Sequence, residues 1–309
     1  MSVEHGFGFF ASVPIWKRHT QICSNIQKKQ TEIEMDRALL GDIQLEYEVH
    51  GNGEPVLLIQ PGIFADWFTP LLTQPVLTSR YRLVHYHRVG SAGSTHIAGP
   101  VSLAQHAAHG RSLLKHLGIA CAHIVGHSSS GNIALQLALD FPDVVHSLAI
   151  LEPALMSVPS AATSRAFVGT AVQLYRRGDK PAAIDTFLRG TCGPDYRAVL
   201  DRVMPGAFDQ YVADAKTFFE QELPALQEWS FRHDDADRII QPVLAVAGAR
   251  SLDFDPIWRE RQQLLLDWLP NVEPFVLPDA THVLHVMNPG GMAQGLADFF
   301  ARHPLTVLS

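Results

Sequence analysis

Three serines stand in a row at positions 128–130, within the stretch AHIVGHSSSGNIALQLALDFP (residues 122–142). The run IVG closes an apolar, strand-like segment and NIALQLAL opens an apolar-striped helical one, so HSSS falls in the tight turn between them. A sharp strand-to-helix turn presents a hydroxyl at a sheet edge, where it can act as a nucleophile, and only small residues fit two places before and after it. Ser128 has Gly126 and Ser130 in those places. Taking Ser129 as the nucleophile would put His127 in the first crowded place, and taking Ser130 would put Ser128 there, so sterics favour Ser128. The serine at 130, where this motif has glycine, is a mild departure, and Gly131 still relieves the helix start. The plainer alternative is a serine-rich helix N-terminus whose hydroxyls only cap N–H groups.

A serine hydroxyl needs a base, and the base needs an orienting acid, in the chain order serine, acid, histidine for this kind of turn. Among 16 histidines, His282 is favoured because it follows the last strand-like run in FVLPDATHVLHVMNPGG; His285 comes one helical turn later. The acid is contested. The loop AGARSLDFDP carries Ser251 at the usual acid position, with Asp253 and Asp255 slightly late. Glu152 ends the apolar run SLAILEPAL, where a carboxylate is costly unless paired or hydrogen-bonded. Glu152 is favoured over both aspartates; its alternative is an anchor for the segment that follows.

Developing negative charge on a carbonyl oxygen needs two backbone N–H groups. The Ser129 amide is one candidate. The Ile63 amide, with Gly62 as neighbour or substitute, is the other, although Gln60 and Pro61 replace a more usual His-Gly. The spacings HYH at 85–87 and HAAH at 106–109 could chelate a metal, but neither has a carboxylate or cysteine partner nearby, so no metal is expected. GFGFF and GNGEP lack the third glycine of a dinucleotide-binding turn.

These residues need a scaffold, and the pattern supplies one. From about Ala38 strand-like and helix-like stretches alternate, as in an α/β fold with a mostly parallel sheet. Strands are expected at IQLEYEVHG, PVLLIQPG, YRLVHYHRVG, CAHIVGHS, HSLAILEP, PVLAVAGA and EPFVLP, and helices at SLAQHAAHGRSLLKHLG and NIALQLALDF. From Ala154 to Arg238 no strand is evident; turn signals in RRGDKP, GTCGPD and MPGAF separate several helices. The expected organisation is an N-terminal extension (1–37), a core (38–153 and 239–309) and a helical cap (154–238). The extension reads as an appended helix or arm, with an organellar transit peptide open and a secretory signal disfavoured.

With 309 residues, 47% apolar and 18% charged, the chain can bury a large core. A net charge of −7 gives no electrostatic footprint for nucleic acid. Three scattered cysteines argue for a reducing compartment, and no apolar run is as long as a membrane span, so a cytoplasmic location is expected.

The segments VGHSSSGNIALQLALDFPDVV, LAILEPA, LPDATHVLHVMNP and HRVGSAGS together resemble the α/β-hydrolase superfamily from about Gly41 to His303. His87 stands where an aspartate is more usual. The resemblance implies an α/β-hydrolase fold, an eight-stranded mostly parallel sheet with an inserted helical cap and no cofactor. A subgroup places its acid as a glutamate after the sixth strand, and the fungal zearalenone lactone hydrolases look similar in this, which strengthens Glu152. The expected activity is hydrolysis of a small-molecule carboxylic ester or lactone by Ser128, Glu152 and His282. Phe167, Tyr175, Phe187, Phe218, Phe219 and Trp229 are candidates for an acyl or aryl pocket, with most of them expected to be cap core instead. A C–C bond hydrolase with the same triad and a non-catalytic ligand binder are the rivals, and a homo-oligomer is compatible with either.

Overall fold

The computed structural model describes residues 1–2, 35–62 and 64–305; the expectations for the N-terminal extension and for Ile63 lie largely outside them. From Asp36 onward the chain forms one compact unit. Eight strands make one sheet: β1 (Asp36–Leu40), β2 (Ile43–His50), β3 (Glu54–Ile59), β4 (Tyr81–Tyr86), β5 (Ala122–His127), β6 (Val145–Leu151), β7 (Val243–Gly248) and β8 (Val272–Leu277). Their order is β1-β2-β4-β3-β5-β6-β7-β8. The β1–β2 and β2–β4 pairs are antiparallel and every other pair is parallel. Each residue of β5 and β7 is buried, as expected of unbroken apolar strands covered on both faces.

Seven strands coincide with the apolar runs of the sequence. β1 does not, because DRALL buries only Ala38 and has no periodicity to read. Pairing with β2 makes it a strand: Leu40 lies opposite Ile43 across a turn in which Gly41 takes φ +66°. The chain leaves β3 for β4 on one side and returns to β5 on the other. The order therefore reverses between β3 and β5, and the crevice at the carboxyl ends of two such strands is where open α/β sheets bind ligands.

Helix α1 (Leu103–His116) begins with a capping box, Ser102 Oγ accepting from the Gln105 amide and Gln105 Oε1 from the Ser102 amide. Helix α2 (Ser129–Asp140) follows β5 directly. Between β6 and β7 no strand occurs among the described residues. The insertion carries α3 (Ala161–Arg176), α4 (Lys180–Cys192), α5 (Tyr196–Val203), α6 (Ala207–Ala213), a π-helical turn (Phe218–Glu222) and α7 (Leu223–Glu228), besides shorter turns. The three turn signals of the sequence fall at the α3–α4, α4–α5 and α5–α6 junctions. One apolar cluster joins Trp67, Phe68 and Val125 of the sheet side to Ile184, Leu188, Phe208 and Phe218 of the insertion. Helices α8 (Pro256–Trp268) and α9 (Pro289–Arg302) complete the layers.

Candidate active site

Ser128 occupies the turn between β5 and α2 with φ +53° and ψ −123°, a strained conformation for a residue with a Cβ. Its amide donates to Leu151 O at 2.9 Å, tying the turn to the end of β6. The crowding inferred from sequence is present: a Cβ on Gly126 would lie 2.2 Å from Ser130 O, and one on Gly131 would lie 3.0 Å from Pro153 Cβ. Ser128 is half-buried, whereas Ser129 and Ser130 are buried. Ser130 does more than fit. Its hydroxyl accepts from the His127 amide at 2.9 Å and lies 2.6 Å from Ile59 O and 2.9 Å from His127 O. With one proton to give, it donates over the shorter distance and fastens the turn to β3 across the crevice.

Glu152 follows β6 directly, also at positive φ (+40°), and is buried. Its Oε1 accepts from the Gly248 amide at 2.8 Å and its Oε2 from His282 Nδ1 at 2.7 Å, so both oxygens are satisfied and the carboxylate bridges β7 to the loop after β8. Gly248 must lack a side chain, because a Cβ there would sit 2.4 Å from Ala280 O in that loop. The competing acids are elsewhere. Asp253 has an 85% exposed side chain and lies 3.8 Å from Arg259, while Asp255 Oδ1 accepts from the Ile257 amide as the N-cap of α8. Ser251 is fully buried, and its hydroxyl has no partner among the described residues.

Bonding through Nδ1 leaves Nε2 of His282 as the proton-accepting nitrogen. The ring stacks on Trp258 at 4.2 Å and lies 4.5 Å from His127, which itself stacks with Trp67 at 5.4 Å. Burial pushes the His282 pKa below its ordinary value, Glu152 pulls it back, and the Arg261 cation adds to the lowering. His285 is brought to the same layer but has a different task. It donates through Nε2 to Trp67 O at 2.9 Å and stacks on Phe68 at 4.9 Å, and burial lowers its pKa to about 4.

The Ser129 amide is the first N–H of α2 and has no carbonyl one turn back within the helix. The Gly62 amide, expected as a substitute donor, instead donates to Ser129 Oγ at 2.9 Å. Ile63 lies outside the described residues. The loop carrying Gly62 is held by groups the sequence reading passed over. Arg88 donates through Nε to Gln60 O at 2.7 Å and through Nη2 to Gly62 O at 3.2 Å, and it forms a buried ion pair with Glu222 of the π-helical turn. Gln60 Oε1 accepts from the Arg88 amide at 2.8 Å. The unusual glutamine in place of histidine was the available signal.

Around Ser128 opens a cavity of about 560 Å³. Of the six aromatic candidates, Phe167, Phe187, Phe218 and Trp229 line it. Tyr175 and Phe219 do not; they stack on each other at 4.7 Å and Tyr175 donates to Glu220 at 2.6 Å. The histidine spacings behave differently from expectation in one respect. His85 and His87 do have carboxylate partners nearby, because antiparallel pairing with β2 brings Glu48 to His85 (2.9 Å) and Glu46 to His87 (3.1 Å), with Asp66 on the other side of His87 (3.2 Å). Both nitrogens of each ring are taken, His85 giving its second to Ala65 O at 3.0 Å. His127, Glu152 and His282 present donor atoms within 4.8 Å of one another. A metal there would compete for a Glu152 oxygen, and both are already hydrogen-bonded, one of them to His282 Nδ1, so the set fits proton transfer better than ligation.

Comparison with known proteins agrees with this architecture. Residues 55–192 match a family model described as alpha/beta hydrolase fold. A putative carbamate hydrolase, RutD, of Azorhizobium caulinodans is 35% identical over 36% of this chain and 42% of its own length. The chain thus spans less than half of that curated relative. A thermophilic esterase from Thermogutta terrifontis superposes over 88% of this chain and 100% of its own, with TM-score 0.72 and 20% identity. An enol-lactonase from Burkholderia xenovorans covers 86% and 100%, with TM-score 0.67 and 19% identity. At these identities the two structures speak for the fold alone.

Proposed function

We propose that this chain, whose residues 55–192 match a family model described as alpha/beta hydrolase fold and whose sheet and insertion follow that fold, is a serine hydrolase of carboxylic esters or lactones. The observation that carries the reading is the 2.7 Å bond from His282 Nδ1 to a buried Glu152, in a chain whose strand-to-helix turn holds Ser128 at positive φ in the lining of a mostly apolar cavity. Ser128 Oγ attacks the ester carbonyl while His282 Nε2 takes its proton. Glu152 holds the tautomer that leaves Nε2 free and stabilises the imidazolium. The amides of Ser129 and Ile63 receive the oxyanion, the second by virtue of its place in the loop after β3. His282 then protonates the departing alkoxide, and water, activated by the same imidazole, releases the acyl group. A lactone would open by the same steps with both products in one molecule. The insertion acts as a cap whose aromatic residues select the substrate, and no step calls for a cofactor.

Fluorophosphonate labelling with peptide mapping tests the reading: one adduct, on Ser128, and none in Ser128→Ala. Labelling at Ser129 or Ser130, or none in folded protein, would overturn it.

A further inference from the structure

Arg261 is a buried cation with no ion-pair partner among the described residues. It projects from α8, is 6% exposed and lines the same cavity as Ser128. Its Nε donates to Leu155 O at 2.8 Å and its Nη2 lies 3.5 Å from Met156 Sδ, a weak acceptor. Nη1 has no hydrogen-bond partner among the described residues. Three carboxylates bear on it electrostatically, Glu152, Asp255 and Glu260, yet none pairs with it. Glu152 is spent on Gly248 and His282, Asp255 caps α8, and Glu260 accepts from the amide and hydroxyl of Ser160 at 2.8 and 2.7 Å. A guanidinium removed from water is costly unless something anionic or strongly accepting completes its shell. Burial lowers its pKa only to about 10, so it stays charged at neutral pH.

Its neighbours indicate where such a group would sit. The indole of Trp258 carries the Arg261 guanidinium 4.9 Å from its centroid and the His282 imidazole at 4.2 Å. The unfilled donor is therefore one indole away from the reacting centre. Arg165, exposed on α3, lines the cavity too. Against these two cations the lining offers Asp255, already engaged, and otherwise mostly apolar side chains. We propose that Arg261 is a substrate-binding residue that receives a carboxylate, so that the preferred esters carry a free carboxylate a few carbons from the scissile carbonyl. Its planar fork suits two carboxylate oxygens, and Trp258 fixes its plane.

This inference rests on the hydrolase reading, and the test separates the two. Kinetics compare mono(4-nitrophenyl) adipate with 4-nitrophenyl hexanoate, in which a methyl replaces the carboxylate. They also compare 4-(carboxymethyl)phenyl acetate with 4-ethylphenyl acetate, which puts the carboxylate on the alcohol side. The expected result is a preference of tenfold or more in kcat/KM for the carboxylate member of at least one pair. Arg261→Gln should shrink that ratio at least tenfold, mainly through KM. A merely structural arginine would lower both members alike and leave the ratio intact, which would overturn the proposal, as would the lack of preference in both pairs. Calorimetry with adipate needs no turnover: the wild type should bind it, and Arg261→Gln, or Arg261→Lys if the first does not fold, should bind it at least tenfold more weakly. No binding overturns the carboxylate site; binding without turnover of any ester overturns the hydrolase reading and leaves this site standing.

Discussion

Glu152 and Asp255 differ in what their oxygens do, and that decides what each substitution costs. Glu152→Gln keeps the shape but removes the charge that steadies an imidazolium, and should lower kcat by about 10³–10⁵. Asp253→Asn and Asp255→Asn should each cost less than about tenfold, since one is in solvent and the other caps a helix. Purified, folded variants showing the reverse ranking would remove Glu152 from the triad. The proposed base also sets the acid limb of activity. His282 must be neutral to accept a proton, and burial disfavours its charged form, so activity should persist below pH 6.5 and fall only as the lowered pKa is reached. A kcat/KM profile with its acid midpoint above 6.5 would contradict this. The turn at Ser128 and the place of His282 in the loop after β8 were legible because a tight turn and a chain order leave marks in sequence. Choosing Glu152 over the aspartates by residue chemistry alone was a wager, since its partner, the Gly248 amide, lies 96 positions away.

Elements hold these residues through contacts that no periodicity announces. Arg88 follows β4, Glu222 belongs to the π-helical turn, and their buried pair locks the insertion onto the loop beside Ser129. Removing one partner strands a charge, so Arg88→Met and Glu222→Leu should each destabilise by about 3–5 kcal/mol. The double variant should lose much less than the sum, because it leaves no orphan. Denaturant unfolding of the four proteins measures the coupling, and strict additivity would show that the pair does not act as one. Arg88→Met should also lower kcat more than Glu222→Leu does, since Arg88, unlike Glu222, bonds Gln60 O and Gly62 O directly. The strands of the core were readable because double-sided burial makes unbroken apolar runs; the insertion's helices were readable by their turns. β1 was not, because pairing rather than pattern makes it a strand.

Across the whole molecule, buried histidines are unusually numerous. His106 and His127 are held well below the ordinary pKa, and His123 and His285 at about 4, burial being the largest cause in each. Their folded pKa lies below the unfolded value, so the unfolded chain takes up protons first as pH falls. Stability is thus full above about 6.5 and is lost as pH drops towards the folded values. Each such histidine removes ~1.4 kcal/mol per pH unit in that window. His87 runs the other way: two carboxylates hold its pKa up, and its contribution is lost as pH rises through that raised value. The depressed group is larger, so the denaturant midpoint should drop steeply between pH 7 and pH 5. A flat profile there would mean that the buried rings are protonated in the native state.

The stack of Trp258 on His282 has an optical consequence. An imidazolium quenches indole emission far better than a neutral imidazole, and here the two rings are in contact. The fluorescence difference between the wild type and Trp258→Phe should therefore titrate with His282 itself. The proton of the proposed base could then be followed by light, without substrate and before any substrate is known.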